Sequence, residues 1–310
     1  MSRTRFLFLL VPIVAGAACS SPSNPSNGGG ITILVADAGG NDRVVKMNDI
    51  IGTGWATVSI PSPEDVAVDA SGRIYVTDGT NNRIVRMNDI TGTGPVTYGT
   101  TGSGPGQFNH PSGIFVDGAG KIYVTDEGNT RIVRIDDMTG TNWTAFGTSG
   151  SGVGQFTLPR AIFVDGASRI YVADFILNQI VRINDMAGSG WVTYGTTGTG
   201  TGQFESARGL FVDGTGRIYV ADDLNNRVVR MDDMTGAGWI EVHQSNPAGA
   251  GVFSGPAGVW VTGGKIYATS YKASQVVEMD DDMSGHNWKA LGTHGSGTNQ
   301  FGSPLGIVAY

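Results

Sequence analysis

Pro111-Ser112-Gly113-Ile114-Phe115-Val116-Asp117, followed by Ile122-Tyr123-Val124-Thr125-Asp126 and Asn129-Thr130-Arg131-Ile132-Val133, is the stretch on which the architecture turns. Its apolar runs are short, rich in Ile, Val, Tyr and Phe, and bounded by Gly, Asp and Asn, which is the composition of β-strands joined by tight turns. A turn, Asp117-Gly118-Ala119-Gly120, separates the first two runs. A fourth run goes from Trp143 to Phe146 and stops before the glycine-rich stretch Gly147 to Phe156. One unit therefore holds four antiparallel strands. The same unit recurs: Val68-Asp69, Val116-Asp117, Val164-Asp165, Val212-Asp213 and Val261-Thr262 are spaced by 48, 48, 48 and 49 residues. A four-stranded unit repeated in tandem predicts an all-β propeller, each unit being one blade.

Counting strands gives the number of blades. First strands start at Pro63, Pro111, Pro159, Ala207, Pro256 and Pro304, and second strands at Ile33, Ile74, Ile122, Ile170, Ile218 and Ile266. The chain enters the repeat at a second strand and leaves it at a first strand, Pro304 to Tyr310. The two ends are expected to pair in one composite blade, which closes a six-bladed ring and removes the free edges that invite aggregation. A monomer is expected.

P-x-G-I-x-V-D, I-Y-V-x-D and N-x-R-I, as they stand in residues 111 to 133, resemble the NHL repeat, and the resemblance extends over residues 31 to 310. Departures are Asn178-Gln179 for Asn-Arg, and Ser270 and Gln275 in the last copy. No Gly-His and Trp-Asp pair recurs, as a WD40 propeller would require. The resemblance implies an NHL-like six-bladed propeller, most of which are binding or scaffold modules. A minority of related six-bladed folds are lyases or calcium lactonases, so the fold leaves function open.

Composition narrows the classes. The chain has 310 residues, 49 of them Gly, with 20 basic and 27 acidic side chains and a net charge of −7. An acidic chain is a poor partner for nucleic acid. Arg3 and Arg5 precede the apolar run Phe6 to Val14, which ends in Gly16-Ala17-Ala18-Cys19, the plan of a secretory signal over residues 1–18. That run is too short to span a bilayer. Cys19 is the only cysteine. Its position resembles the lipidated cysteine of bacterial lipoproteins, and the low-complexity stretch 19–30 reads as a polar tether. Gly16 departs from the aliphatic residue usual three before that cysteine, and cleavage near Ala17 or Ala18 is the other reading. The expected location is the bacterial cell envelope, by lipid anchor or secretion.

Residues that repeat read as architecture. Asp37, Asp78, Asp126, Asp174 and Asp222 each close a second strand and are expected to cap the following turn and pair with arginines such as Arg83, Arg131 and Arg227. Trp55, Trp143, Trp191, Trp239 and Trp288 are expected to pack at the fourth strand. Function is sought where blades differ. In resembling propellers the loops leading into the first strand share a rim with those between the second and third strands. On that rim the residue after the proline position forms a ring of Glu64, Ser112, Arg160, Arg208, Ala257 and Leu305. Arg160 and Arg208, in adjacent blades, repel unless an anion or carboxylate sits between them. Glu205 or Glu127 is the expected internal partner, and an anionic ligand the functional alternative. Phe175-Ile176-Leu177 replaces a polar turn of the Gly79-Thr80-Asn81 type, and Tyr271 is a similar departure; with the arginines they make a patch suited to a protein, peptide or glycan partner. No cofactor is expected. A metal-dependent lyase or hydrolase would need His110, His243 and His294, which map to this rim, to converge on one ion.

Overall fold

A computed structural model describes residues 30–243 and 253–310. The expected signal segment, Cys19 and all but the last residue of the tether lie outside the described residues. Among the described residues no helix is long and apolar enough to cross a membrane.

Six four-stranded antiparallel sheets surround a central axis, and each has the strand order of the sequence repeat. Blade 1 is composite: Ser303–Ala309 joins Ile33–Ala38, Arg43–Met47 and Ala56–Ser59. Its seam pairs Ile33 with Ala309, Leu34 with Val308 and Val35 with Ile307. Thr32 and Tyr310 extend the seam by exchanging backbone bonds of 2.7 and 2.9 Å. The first strands of blades 2 to 6 are Pro63–Val68, Pro111–Val116, Pro159–Val164, Ala207–Val212 and Pro256–Thr262, and each packs against the next around the ring. The expected strands and six-fold closure are those observed.

The repeated glycine of the first strand has a steric cause. A Cβ on Gly113 would lie 2.3 Å from the Arg160 carbonyl oxygen, and one on Gly209 would lie 2.2 Å from that of Ala257. At these two positions the neighbouring strand approaches too closely to admit a side chain. Hydroxyls stitch the same region, since Thr77, Thr125 and Thr269 donate to the carbonyls of Ser112, Arg160 and Leu305 in the next blade, at 2.5 to 2.6 Å.

The repeated acids do structural work. Asp126 accepts the Asn109 N–H at 2.7 Å and meets Arg131 at 2.8 Å; Asp222 does the same with Glu205 and Arg227. Blade 4 has Gln179 in the arginine position, and there Asp174 takes two loop N–H groups, from Thr157 and Leu158. In blade 6 Ser270 plays the part, accepting from Ser254 at 2.8 Å. The acids thus cap turns and also hold the loop before the first strand.

The glycine-rich connections hold more order than expected. Thr100–Thr101 pairs in parallel with Gln107–Phe108, and blades 3 and 4 are followed by the same two-residue ladder. Each connection drives a Phe into the core; Phe108, Phe156, Phe204, Phe253 and Phe301 are fully buried. Trp143, Trp191, Trp239, Trp288 and Trp55 close over these rings with centroids 4.8 to 5.4 Å apart. The tryptophans are therefore packed against the connections, as expected of edge-strand residues.

Candidate functional site

The first-strand residues Glu64, Ser112, Arg160, Arg208, Ala257 and Leu305 line the mouth of a central cavity of about 510 Å³. The strands that carry them end at the opposite rim, in the Asp-Gly turns that include Asp117 and Asp165. Arg160 and Arg208 are both mostly buried, their side chains 19% and 15% exposed. Arg160 lies over the Phe175 ring at 4.9 Å, and Arg208 over the Tyr271 ring at 4.6 Å. The two arginines and two of the predicted rim departures thus form two cation–aromatic stacks in blades 4, 5 and 6.

Each guanidinium has an acid, but at long range. Arg160 is 3.6 Å from Glu127, and Arg208 is 3.4 Å from Asp223. Glu127 was an expected partner. Asp223 was not foreseen, and Glu205 offers its backbone N–H to Asp222 instead. Asp223 also receives Lys272 Nζ at 3.0 Å and the Tyr271 hydroxyl at 3.3 Å. Arg160 Nε is buried with no hydrogen-bond partner. Burial and the nearby Arg160 lower the pKa of Arg208, the signature of two cations held together in a dry place. Burial raises the pKa of Glu127, opposed by Arg160 and His110.

The apolar turn of blade 4 divides. Phe175 and Leu177 are half-buried, whereas Ile176 is 52% exposed. The corresponding turn of blade 5 carries Leu224, 50% exposed. Leu224 was missed because its neighbours, Asp223 and Asn225, make the turn look polar. Ile176 and Leu224 place exposed aliphatic side chains beside the two arginine stacks.

The three candidate histidines have separate partners. His110 lies between Glu64 and Glu127, at 3.6 and 3.7 Å. His243 meets Glu241 at 2.7 Å, and His294 lies 3.3 Å from the Ser274 hydroxyl. Among the described residues no group of three or more His, Cys, Asp or Glu side chains is arranged to hold a metal ion.

Asp65, beside Glu64, is the mouth residue that departs furthest from the repeat. It occupies the position held by Gly113, Ala161, Gly209, Gly258 and Gly306 in the other blades. Its carboxylate lies where a Cβ on Gly306 would need to be, and it accepts the N–H groups of Val66 at 2.8 Å and of Ile114, in the next blade, at 3.1 Å. Burial, with a smaller push from Glu64, raises its pKa to about 7 against the opposing N–H groups. Because the folded protein holds this proton more tightly than the unfolded chain, stability is full below about pH 4 and is lost as pH rises through about 7. Denaturant unfolding at pH 5 and pH 8 should show the wild type losing roughly 1–2 kcal/mol relative to Asp65→Asn. An identical difference between the two proteins at both pH values would contradict this assignment.

Comparison with known proteins agrees with this architecture. Residues 61–87, which span the first three strands of blade 2, match the NHL repeat. No curated protein sequence matches the chain. Among solved structures, a chain from a nidogen/laminin complex is 20% identical with a TM-score of 0.71, over 90% of this chain and 98% of that one. Virginiamycin B lyase from Staphylococcus aureus is 16% identical with a TM-score of 0.57, over 84% and 83%. A protein of unknown function from Bacteroides caccae is 15% identical with a TM-score of 0.66, over 90% and 98%. At these identities the likeness is one of fold. The chain is a six-bladed β-propeller whose residues 61–87 match the NHL repeat.

Proposed function

We propose that this propeller is an exported binding module, tethered at the bacterial cell envelope through Cys19, whose central rim engages a protein, peptide or glycan ligand bearing a carboxylate. One observation carries the reading. Two largely buried guanidiniums sit in adjacent blades, each stacked on an aromatic ring and each more than 3.3 Å from its acid. An anion entering between them would relieve their repulsion and gain charge-assisted hydrogen bonds in a water-poor place. The stacked aromatics and exposed Ile176 and Leu224 supply the apolar contacts that accompany arginine in recognition hot spots. That a structural neighbour was solved in a nidogen/laminin complex is in keeping with a binding role for the fold.

The envelope location rests on the sequence of the first 30 residues. Arg3 and Arg5, the apolar run and Cys19 supply the address, and the tether gives reach. Metabolic labelling with a fatty-acid analogue tests it: wild type should be labelled and Cys19→Ser should not.

The double substitution Arg160→Ala, Arg208→Ala tests the rim. It should weaken capture of the envelope partner by more than about tenfold, the loss of roughly 1.4 kcal/mol or more expected of a hot spot. Near-native thermal unfolding is expected, since the two guanidiniums repel one another, Asp223 keeps Lys272 at 3.0 Å and Glu127 keeps His110 at 3.7 Å. Partner capture unchanged by the double variant would sink the reading.

A further inference from the structure

The cavity beneath the rim is lined unevenly, in two respects that coincide. Four consecutive blades, 3 to 6, carry Phe115, Phe163, Phe211 and Trp260 at one level of the first strand. Blades 1 and 2 carry Val308 and Ala67 at that level. Successive aromatic centroids lie 4.6, 5.0 and 4.8 Å apart, an unbroken arc along one side, with the small Ala67 side chain across from it. The Trp260 indole Nε1 is buried without a hydrogen-bond partner. Among the first-strand side chains that line the mouth the charges are also sorted by side. Arg160 and Arg208 stand on blades 4 and 5, while Glu64 and Asp65 stand on blade 2, which is opposite blade 5 in a ring of six. Arg208 feels Glu64 across the opening.

We propose that the channel binds a small zwitterion with an aromatic group, an aromatic amino acid or short peptide. Its carboxylate would lie on Arg160 and Arg208, its ammonium toward Glu64, and its ring against Phe163, Phe211 and Trp260. Three residues of strand separate Arg160 from Phe163, about 10 Å, a span that an amino acid or dipeptide bridges. The cavity volume falls in the range of small-molecule sites, and a few polar groups fix orientation above an apolar body. Opposite charges on opposite sides are what favour a zwitterion: its carboxylate gains bonds from guanidiniums whose own acids stand off at 3.6 and 3.4 Å, and its ammonium gains Glu64, whereas a simple carboxylate or a simple amine uses only one side. The proposal shares Arg160 and Arg208 with the rim reading and rests on their role as anion-binding groups, but it needs no protein partner.

The test is calorimetric titration of the full mature chain with alanyl-phenylalanine and three analogues: N-acetylated, C-amidated, and alanyl-alanine. Alanyl-phenylalanine is expected to bind, and each analogue to bind at least tenfold more weakly. Arg208→Ala should weaken alanyl-phenylalanine tenfold or more and leave the C-amide nearly unchanged, because the amide has already lost the charge that Arg208 recognises. Since the analogues are compared on wild-type protein, the result does not depend on a variant that folds. No heat of binding at roughly millimolar dipeptide, or affinities indifferent to blocking either end, would overturn the proposal. If the dipeptide fails while Arg160→Ala, Arg208→Ala still abolishes partner capture, the channel assignment falls and the rim reading stands. If the dipeptide binds and the partner does not depend on the arginines, the reverse holds.

Discussion

Removing residues 303–310 is expected to abolish the folded ring. This segment supplies the first strand of blade 1, and its Leu305, Ile307, Val308 and Ala309 are buried. Burying a Leu, Ile or Val side chain is worth about 1.5–3 kcal/mol. Three of them, with the backbone bonds to Ile33–Ala38, amount to on the order of 5–8 kcal/mol, which rivals the whole stability of a typical domain. The loss would also expose the edge of Ile33–Ala38 and the facing sides of blades 2 and 6, surfaces prone to association. A chain ending at Gly302 should therefore be insoluble or unfold without a cooperative transition in calorimetry. A soluble truncated chain with one sharp transition near the full-length temperature would show that the seam does not close the ring energetically.

The second large effect is expected at Arg227. Its side chain is only 1% exposed and pairs with the fully buried Asp222 at 2.8 Å. It also donates to the carbonyls of Thr199 and Gln203 at 2.8 and 2.7 Å, meets Glu241, and lies over Trp239 at 5.5 Å. Arg227→Ala strips a buried carboxylate of its counter-charge and leaves two carbonyls without a donor, a loss of about 3–5 kcal/mol. Burial already raises the pKa of Asp222 against the pull of Arg227, and losing the arginine would push it further in the same direction. The same repeat offers an internal control. Arg83 makes the equivalent 2.8 Å bond to Asp78 but is 35% exposed, and Arg83→Ala is expected to cost about 1 kcal/mol or less. Denaturant unfolding of the two variants should separate them clearly. Equal losses would mean that burial does not set the value of this pair. Blade 4 shows how the blade manages without arginine: Gln179 faces Asp174, whose carboxylate takes the Leu158 N–H in addition to that of Thr157, the counterpart of Asn109 and Glu205.

Together these expectations separate scaffold from site. The repeated Asp–Arg pairs lie where the second and third strands meet and hold the blades. The mouth, in contrast, is built from positions where blades differ: Glu64 and Asp65 in blade 2, Arg160 in blade 4, Arg208 in blade 5, Tyr271 in blade 6. A propeller permits this division because each first strand contributes one residue per level to the axis, so the mouth can vary from blade to blade while the strand pairing within each blade stays the same. Reading the mouth as a binding site is thus compatible with strong substitution effects in the blades and mild ones at the rim.

The blades, their number and their closure were legible in the chain before any coordinates. Short strands bounded by Gly, Asp and Asn are local chemistry, and a 48-residue spacing repeats that chemistry faithfully enough to count blades and to see that the two ends must pair. Alignment to the repeat also singled out Arg160, Arg208, Phe175 and Tyr271, because a departure from a period is visible without coordinates. Asp223 and Leu224 escaped notice, since each sits among polar or charged neighbours where a turn commonly has them. The aromatic arc was hidden for the opposite reason: Phe115, Phe163 and Phe211 agree with one another and read as core. What ring closure alone decided is how residues of different blades meet. It laid Arg208 over Tyr271, sent the Asp65 carboxylate to the Ile114 N–H, and put Glu64 and Arg208 on opposite sides of one opening. Strand periodicity assigns a residue to a level of the blade, but the direction and partner of its side chain depend on the twist of the blades and their angle around the axis, which no local stretch of chain encodes.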